Sequence, residues 1–135
     1  MRKLLALGFL PRCTDCALLT LRLWLGITLF LGHGMEKIRH FSAMAAHFPD
    51  PVHIGPVPSL AFALLSDAIC SVLAMIGVAT RLAALIITVN TGVAFTLVHH
   101  MRFSGPGGGE LPWVYMGGYL AIVLAGPGRY SVDGK

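Results

Sequence analysis

The 135-residue chain is 56% hydrophobic and 12% charged, with a mean hydropathy of +0.75, which is more apolar and less charged than an average soluble domain. Four apolar spans of about 20 residues each would use most of this length and leave no room for a soluble catalytic domain. The net charge of +4 comes from basic residues scattered at segment ends, without the stripe that nucleic-acid binding requires.

Met1-Arg-Lys and the apolar residues 4–10 resemble the opening of a signal peptide. The run is short, however, and ends in Pro11-Arg12 with no small-residue cleavage site. Residues 1–16 are therefore expected to be retained as a cytoplasmic or interfacial segment. They close on Cys13-Thr-Asp-Cys16, a CxxC that could serve as a redox dithiol or as half of a metal site, although the thioredoxin-like βαβ context is missing. With Cys70 the chain has three cysteines, too few for a disulfide framework, and Cys70 reads as a small packing residue.

The first span is expected over residues 17–34, with Arg22 inside it. The gap that follows, residues 35–58, holds Pro49, Pro51, Pro56 and Pro58. The second span, residues 59–79, carries Asp67 and two runs of small residues at four-residue intervals, Ala63, Asp67, Ser71 and Ser66, Cys70, Ala74, which would let helices approach closely. Only Thr80-Arg81 separates it from the third span, residues 82–98, so the two form a tight hairpin. Ser104-Gly-Pro-Gly-Gly-Gly109 is a flexible turn. The fourth span, residues 111–125, is headed by Glu110, repeats the small-residue spacing at Gly117, Ala121 and Ala125, and leads to a tail over 127–135.

Arg2, Lys3, Arg12, Arg81, Arg129 and Lys135 gather on one side, and Lys37, Arg39 and Arg102 on the other. By the positive-inside rule both termini are cytoplasmic. The reading is an all-α, multi-pass transmembrane four-helix bundle in the inner (cytoplasmic) membrane, with residues 17–126 as its domain.

Strongly polar side chains inside spans are costly and tend to face the bundle interior. Here they are Arg22, Asp67 and Asn90, at depths of roughly 8, 18 and 12 Å from the cytoplasmic boundary at about 1.5 Å per residue. Side chains lean toward their own helix N-termini, so Arg22 and Asp67 lean apart, and Asn90 between them could relay a contact. Arg22 could instead snorkel to the headgroups; Asp67 has no such route and is the leading functional candidate.

All six histidines, His33, His40, His47, His53, His99 and His100, fall on the outer side with Met35, Met44, Met101 and Glu110. Imidazole and thioether suit copper, and imidazole also suits zinc or haem. His33, His40 and His47 would share a helix face at their spacing of seven, but that is too wide for one ion. A metal site would need His33 or His40 with His99 or His100. The alternative is interfacial histidines bonded to water or headgroups. Glu110 could complement the dipole of the fourth helix or hold His99 or His100.

Three stretches together resemble the DoxX family of small four-helix membrane proteins. They are Leu21-Arg-Leu-Trp-Leu-Gly26 leading to Leu31-Gly-His-Gly-Met-Glu-Lys37; Leu64-Leu-Ser-Asp67 with Ile76-Gly-Val-Ala-Thr-Arg-Leu82; and Glu110-Leu111 with Gly126-Pro-Gly-Arg-Tyr-Ser-Val-Asp133. The family commonly has Glu where this chain has Asp67, so the carboxyl sits here on a shorter arm. The family name comes from association with thiosulfate:quinone oxidoreductase, and the resemblance implies a quinone-linked or partner subunit of a membrane oxidoreductase system. In that role Asp67 would transfer a proton, Arg22 would stabilise an anionic oxygen and Asn90 would orient either, with His33 and Glu110 as further cofactor contacts. Electrons would come from a protein partner, an oxidoreductase or oxidase subunit, or from a bound cofactor. A different expectation is a copper-handling or docking protein that uses the outer His and Met residues, and a third is a subunit whose polar residues only fix packing. The oligomeric state is open.

Overall fold

The structure, a computed structural model, describes residues 11–134, and within them every regular element is helical. The expected surface segment of residues 4–10, and the charges Arg2, Lys3 and Lys135, lie outside the described residues. Four apolar helices carry the fold: α1 (Thr14–Arg39), α2 (Pro56–Ile76), α3 (Thr80–Val98) and α4 (Glu110–Ala125). The first three are long and apolar enough to cross a membrane, and α4 is shorter, at 16 residues or about 24 Å.

Local chemistry sets the ends. Cys13 caps α1, its sulfur accepting the Cys16 N–H at 3.2 Å, and Asp15 places negative charge in the first turn, where the helix dipole favours it. Pro56 opens α2 at a position whose N–H would have no helical partner anyway. Gly77 ends that helix in the left-handed region at φ +80, which glycine adopts without penalty. After the hairpin α3 starts at Thr80.

The helices pack around Leu25, Leu29, Ala74, Ala84, Ile87, Tyr119 and Ile122, with α3 lying along α4 and α1 along both α2 and α4. Outside, large apolar side chains such as Trp24 and Leu124 are 71% and 74% exposed. A continuous apolar exterior of this kind is solvated by hydrocarbon, not by water.

The small residues of α2 do line the interior: Ala63, Ser66, Asp67, Cys70, Ser71 and Ala74 are all buried. The stripe expected on α4 does not. Gly117, Ala121 and Ala125 face outward, and a Cβ on Gly117 would meet nothing within 4 Å. It is Gly118 that faces α1, against Leu25. On α1, Gly34 lets the backbone of α2 pass close by, because a Cβ there would lie 2.7 Å from the Asp67 carbonyl oxygen.

Three of the four helices contain a π-helical turn: Phe30–Gly34 in α1, Leu65–Cys70 in α2 and Ala94–Val98 in α3. Such turns insert one residue into the helical repeat and are often found at functional sites. At the opposite end, residues 126–134 fold back beneath the bundle. Asp133 accepts from the N–H groups of Ala79 (3.0 Å) and Thr80 (2.7 Å) and from the Thr80 hydroxyl (2.7 Å), capping α3 from outside its own chain segment. The tail backbone at Arg129 in turn donates to Asp15 at 2.9 Å, so the two ends of the described chain share one face of the bundle.

Candidate functional site

Midway along α2, in its π turn, the Asp67 carboxylate is fully engaged. One oxygen meets Lys37 Nζ at 2.8 Å; the other accepts from Asn90 Nδ2 at 3.1 Å and from Ser66 Oγ at 3.0 Å. The Lys37 and Asp67 side chains are only 9% and 8% exposed. Helix direction explains the pairing. Lys37 lies on the last turns of α1 and leans back toward that helix's N-terminus, while Asp67 on the antiparallel α2 leans the other way, so the two side chains converge. The Lys37 ammonium also approaches the His33 carbonyl, one turn back, at 3.5 Å.

This cluster borders a cavity of about 480 Å³. Leu29, Phe62, Val89 and Leu111 give it apolar walls, and His33, Lys37, Asp67, Asn90 and His99 supply the polar groups. His33 stands edge-on to Tyr115, with ring centroids 6.2 Å apart. The segment between α1 and α2 covers one side with Phe48, Pro49, Pro51, Val52 and Ile54. Asp50 holds that cover in shape, accepting from Ile54 N–H (3.0 Å), Gly55 N–H (2.8 Å) and Ser59 Oγ (2.9 Å). Desolvation pulls the Asp50 carboxyl upward, but these bonds and nearby His53 outweigh it and hold the pKa below the usual carboxylate value.

Of the residues expected to act together, Asp67 and Asn90 do meet. Arg22 does not join them. It lies about 18 Å along α1 from Gly34, the residue abutting Asp67, at about 1.5 Å per residue over twelve positions. Its guanidinium donates to the Tyr130 carbonyl and sits against Gly77 and Ser131. Leaning toward the N-terminus of α1 takes it away from Asp67, as snorkelling would, yet the tail covers it completely, leaving it 0% exposed. Its Nε and Nη1, with Tyr119 Oη, are buried without hydrogen-bond partners among the described residues.

Glu110 is exposed at the start of α4 and does not border the cavity. Nor does it hold either histidine: His99 Nδ1 contacts the Gly107 carbonyl at 2.7 Å. His33, His40 and His47 do not share one helix, because α1 ends at Arg39 and His40 leaves helical geometry at φ −115, ψ 22. His33 and His99 border the cavity, whereas His40 and His100 are exposed. No group of three or more His, Cys, Asp or Glu side chains able to hold a metal ion occurs among the described residues. Cys13 and Cys16 are joined as a disulfide at the end of the bundle where the tail docks.

Lys37 is the candidate site residue that sequence reasoning missed, having been counted as an outer-side charge. The signal was available: Lys37 follows His33 by four residues, on the helix face that carries Gly34 into contact with α2.

An all-helical bundle with a hydrocarbon-facing exterior and a buried ion pair beside an apolar cavity defines an integral membrane protein with an internal polar site. The DoxX family model matches residues 17–100, and the chain belongs to the DoxX family, whose members are integral membrane proteins. No curated protein and no solved structure matches the chain.

Proposed function

We propose that this chain is a quinone-binding membrane subunit of an oxidoreductase system, and that its site is the cavity beside Lys37 and Asp67. One observation carries the reading: a cavity of about 480 Å³ with apolar walls and a few convergent polar groups. That volume lies within the range of small-molecule sites and suits a planar, mostly apolar ring bearing two carbonyl oxygens. Lys37 takes the part first given to Arg22, stabilising negative charge on a quinone oxygen as electrons arrive from a partner oxidoreductase. Asp67 passes protons, and Asn90, bonded to it, fixes its orientation. His33 and His99 stand at the same cavity as further donors.

The arginine and lysine bias supports a cytoplasmic location for the face bearing Arg81, Arg129 and both described chain ends. The cavity then opens in the outer half of the inner membrane.

Titrating the purified protein in detergent with a short-chain quinone tests the site. Saturable binding at one quinone per chain is expected. Asp67→Asn and Lys37→Met should each weaken it by at least about tenfold, the scale of one charge-assisted hydrogen bond, and Arg22→Lys should leave it unchanged. Non-saturable partitioning, or equal binding by all three variants, would overturn the proposal.

A further inference from the structure

The Cys13–Cys16 pair plays no part in the quinone reading, and four observations converge on it. Both residues are exposed and bonded to each other, whereas the third cysteine, Cys70, is buried. Cys13 is the N-cap of a 26-residue helix, and its sulfur already accepts the Cys16 N–H at 3.2 Å. A sulfur so placed is stabilised as thiolate by the helix N-terminus.

Asp15, the acid between the two cysteines, would oppose a thiolate if its charge were free. Its carboxylate is instead turned to the Arg129 N–H of the tail, at 2.9 Å, and Arg12 precedes Cys13 directly in the sequence. Finally, a bridge across two residues closes a very short loop, where the gain from constraining the unfolded chain is at its smallest, so stapling is the weaker rationale for it.

We propose that Cys13 and Cys16 form a thiol–disulfide exchange site that passes two electrons to the disulfide of a partner protein. The structure holds the pair oxidised; once a thiol reductant has opened it by exchange, the Cys13 thiolate attacks one sulfur of the partner's disulfide. The partner's S–S bond breaks, a Cys13–partner disulfide forms, and the other partner sulfur leaves as thiolate and takes a proton. Cys16 then loses its proton to water and attacks Cys13 Sγ. The Cys13–Cys16 bond forms, and the second partner sulfur leaves as thiolate. The partner is reduced and this chain is oxidised by two electrons.

The full chain in detergent, reduced with dithiothreitol and freed of it, is exposed to glutathione disulfide, then quenched by alkylation and read by mass spectrometry. Wild type should close the Cys13–Cys16 bond and release two glutathiones per disulfide consumed. Cys16→Ala should accumulate glutathione on Cys13, and Cys13→Ala should react at Cys16 at least about tenfold more slowly, since only Cys13 sits at the helix N-cap where a thiolate is favoured. Alkylating fully reduced wild type and comparing the labelling of the two cysteines asks the same question without a variant. Equal rates at both positions, or a wild-type bond that dithiothreitol leaves intact in the folded protein, would overturn the proposal.

Discussion

Replacing Lys37 with methionine keeps the length and volume of the side chain and removes its charge, leaving the Asp67 carboxylate opposite an apolar group. At the observed 2.8 Å and an effective dielectric of about 20, the attraction is about 6 kcal/mol, from roughly 332/(20 × 2.8). Much of this offsets the cost of taking two ions out of water, so the pair itself contributes little net stability. Breaking it is a different matter, because one buried charge is then left unpaired, at a cost of about 3–5 kcal/mol. Both side chains are more than nine-tenths buried, so surface screening does not reduce that figure. Lys37→Met and Asp67→Leu should each be strongly destabilising, and the double variant should be less so than either, within about 1 kcal/mol of wild type. Unfolding in detergent, followed by circular dichroism against denaturant, measures all four proteins. Single variants costing under about 1 kcal/mol, or a double variant costing the sum of both, would refute the view that the two charges form one buried unit.

Gly34→Ala should lower stability by about 1–3 kcal/mol, since its Cβ meets the α2 backbone at Asp67, whereas Gly117→Ala, with open space around it, should be neutral or stabilising by up to about 1 kcal/mol; thermal melts of the two variants compare them. The tail latch should respond to acid alone. Hydrogen bonds from the Thr80 N–H and hydroxyl, then from Ala79, with the charge of Arg22, hold the Asp133 carboxyl below its usual value against desolvation. The latch is therefore fully held above the ordinary carboxylate value of about 3.9 and is lost as pH falls through the lower folded-state value. Amide exchange at Thr80 against pH reports this; opening near neutrality would contradict it, and Asp133→Asn should abolish the dependence.

The four helices were legible because hydrocarbon demands long apolar runs, and Asp67 was legible because a carboxyl inside such a run is costly. Asn90, expected as a relay between Arg22 and Asp67, does bond to Asp67 but not to Arg22. Lys37 was legible only from helical spacing and not from hydropathy, because Glu36, Lys37 and Arg39 end the apolar run of α1 while its helix continues to Arg39. Hydropathy closed the span where hydrogen bonding did not. Arg22 was read in the wrong company: nothing in the composition of residues 126–133 announces that they fold back to cover it. Spacing of seven misplaced the histidines because it presumes an unbroken helix, and His40 breaks it.

The π turns have a further consequence, one of helical phase. An added residue rotates everything beyond it by about 100° relative to a regular helix. In α2 the halves before and after residues 65–70 thus follow different registers, and the same holds on either side of residues 30–34 in α1. A hydrophobic stripe that faces the core before the turn can hand over to a different stripe after it, so each helix can meet two sets of neighbours. Straightening either turn into regular α-helix with every residue kept would leave a good apolar helix of spanning length, yet it would swing one half about its own axis and dismantle the polar centre while the hydropathy profile stayed unchanged.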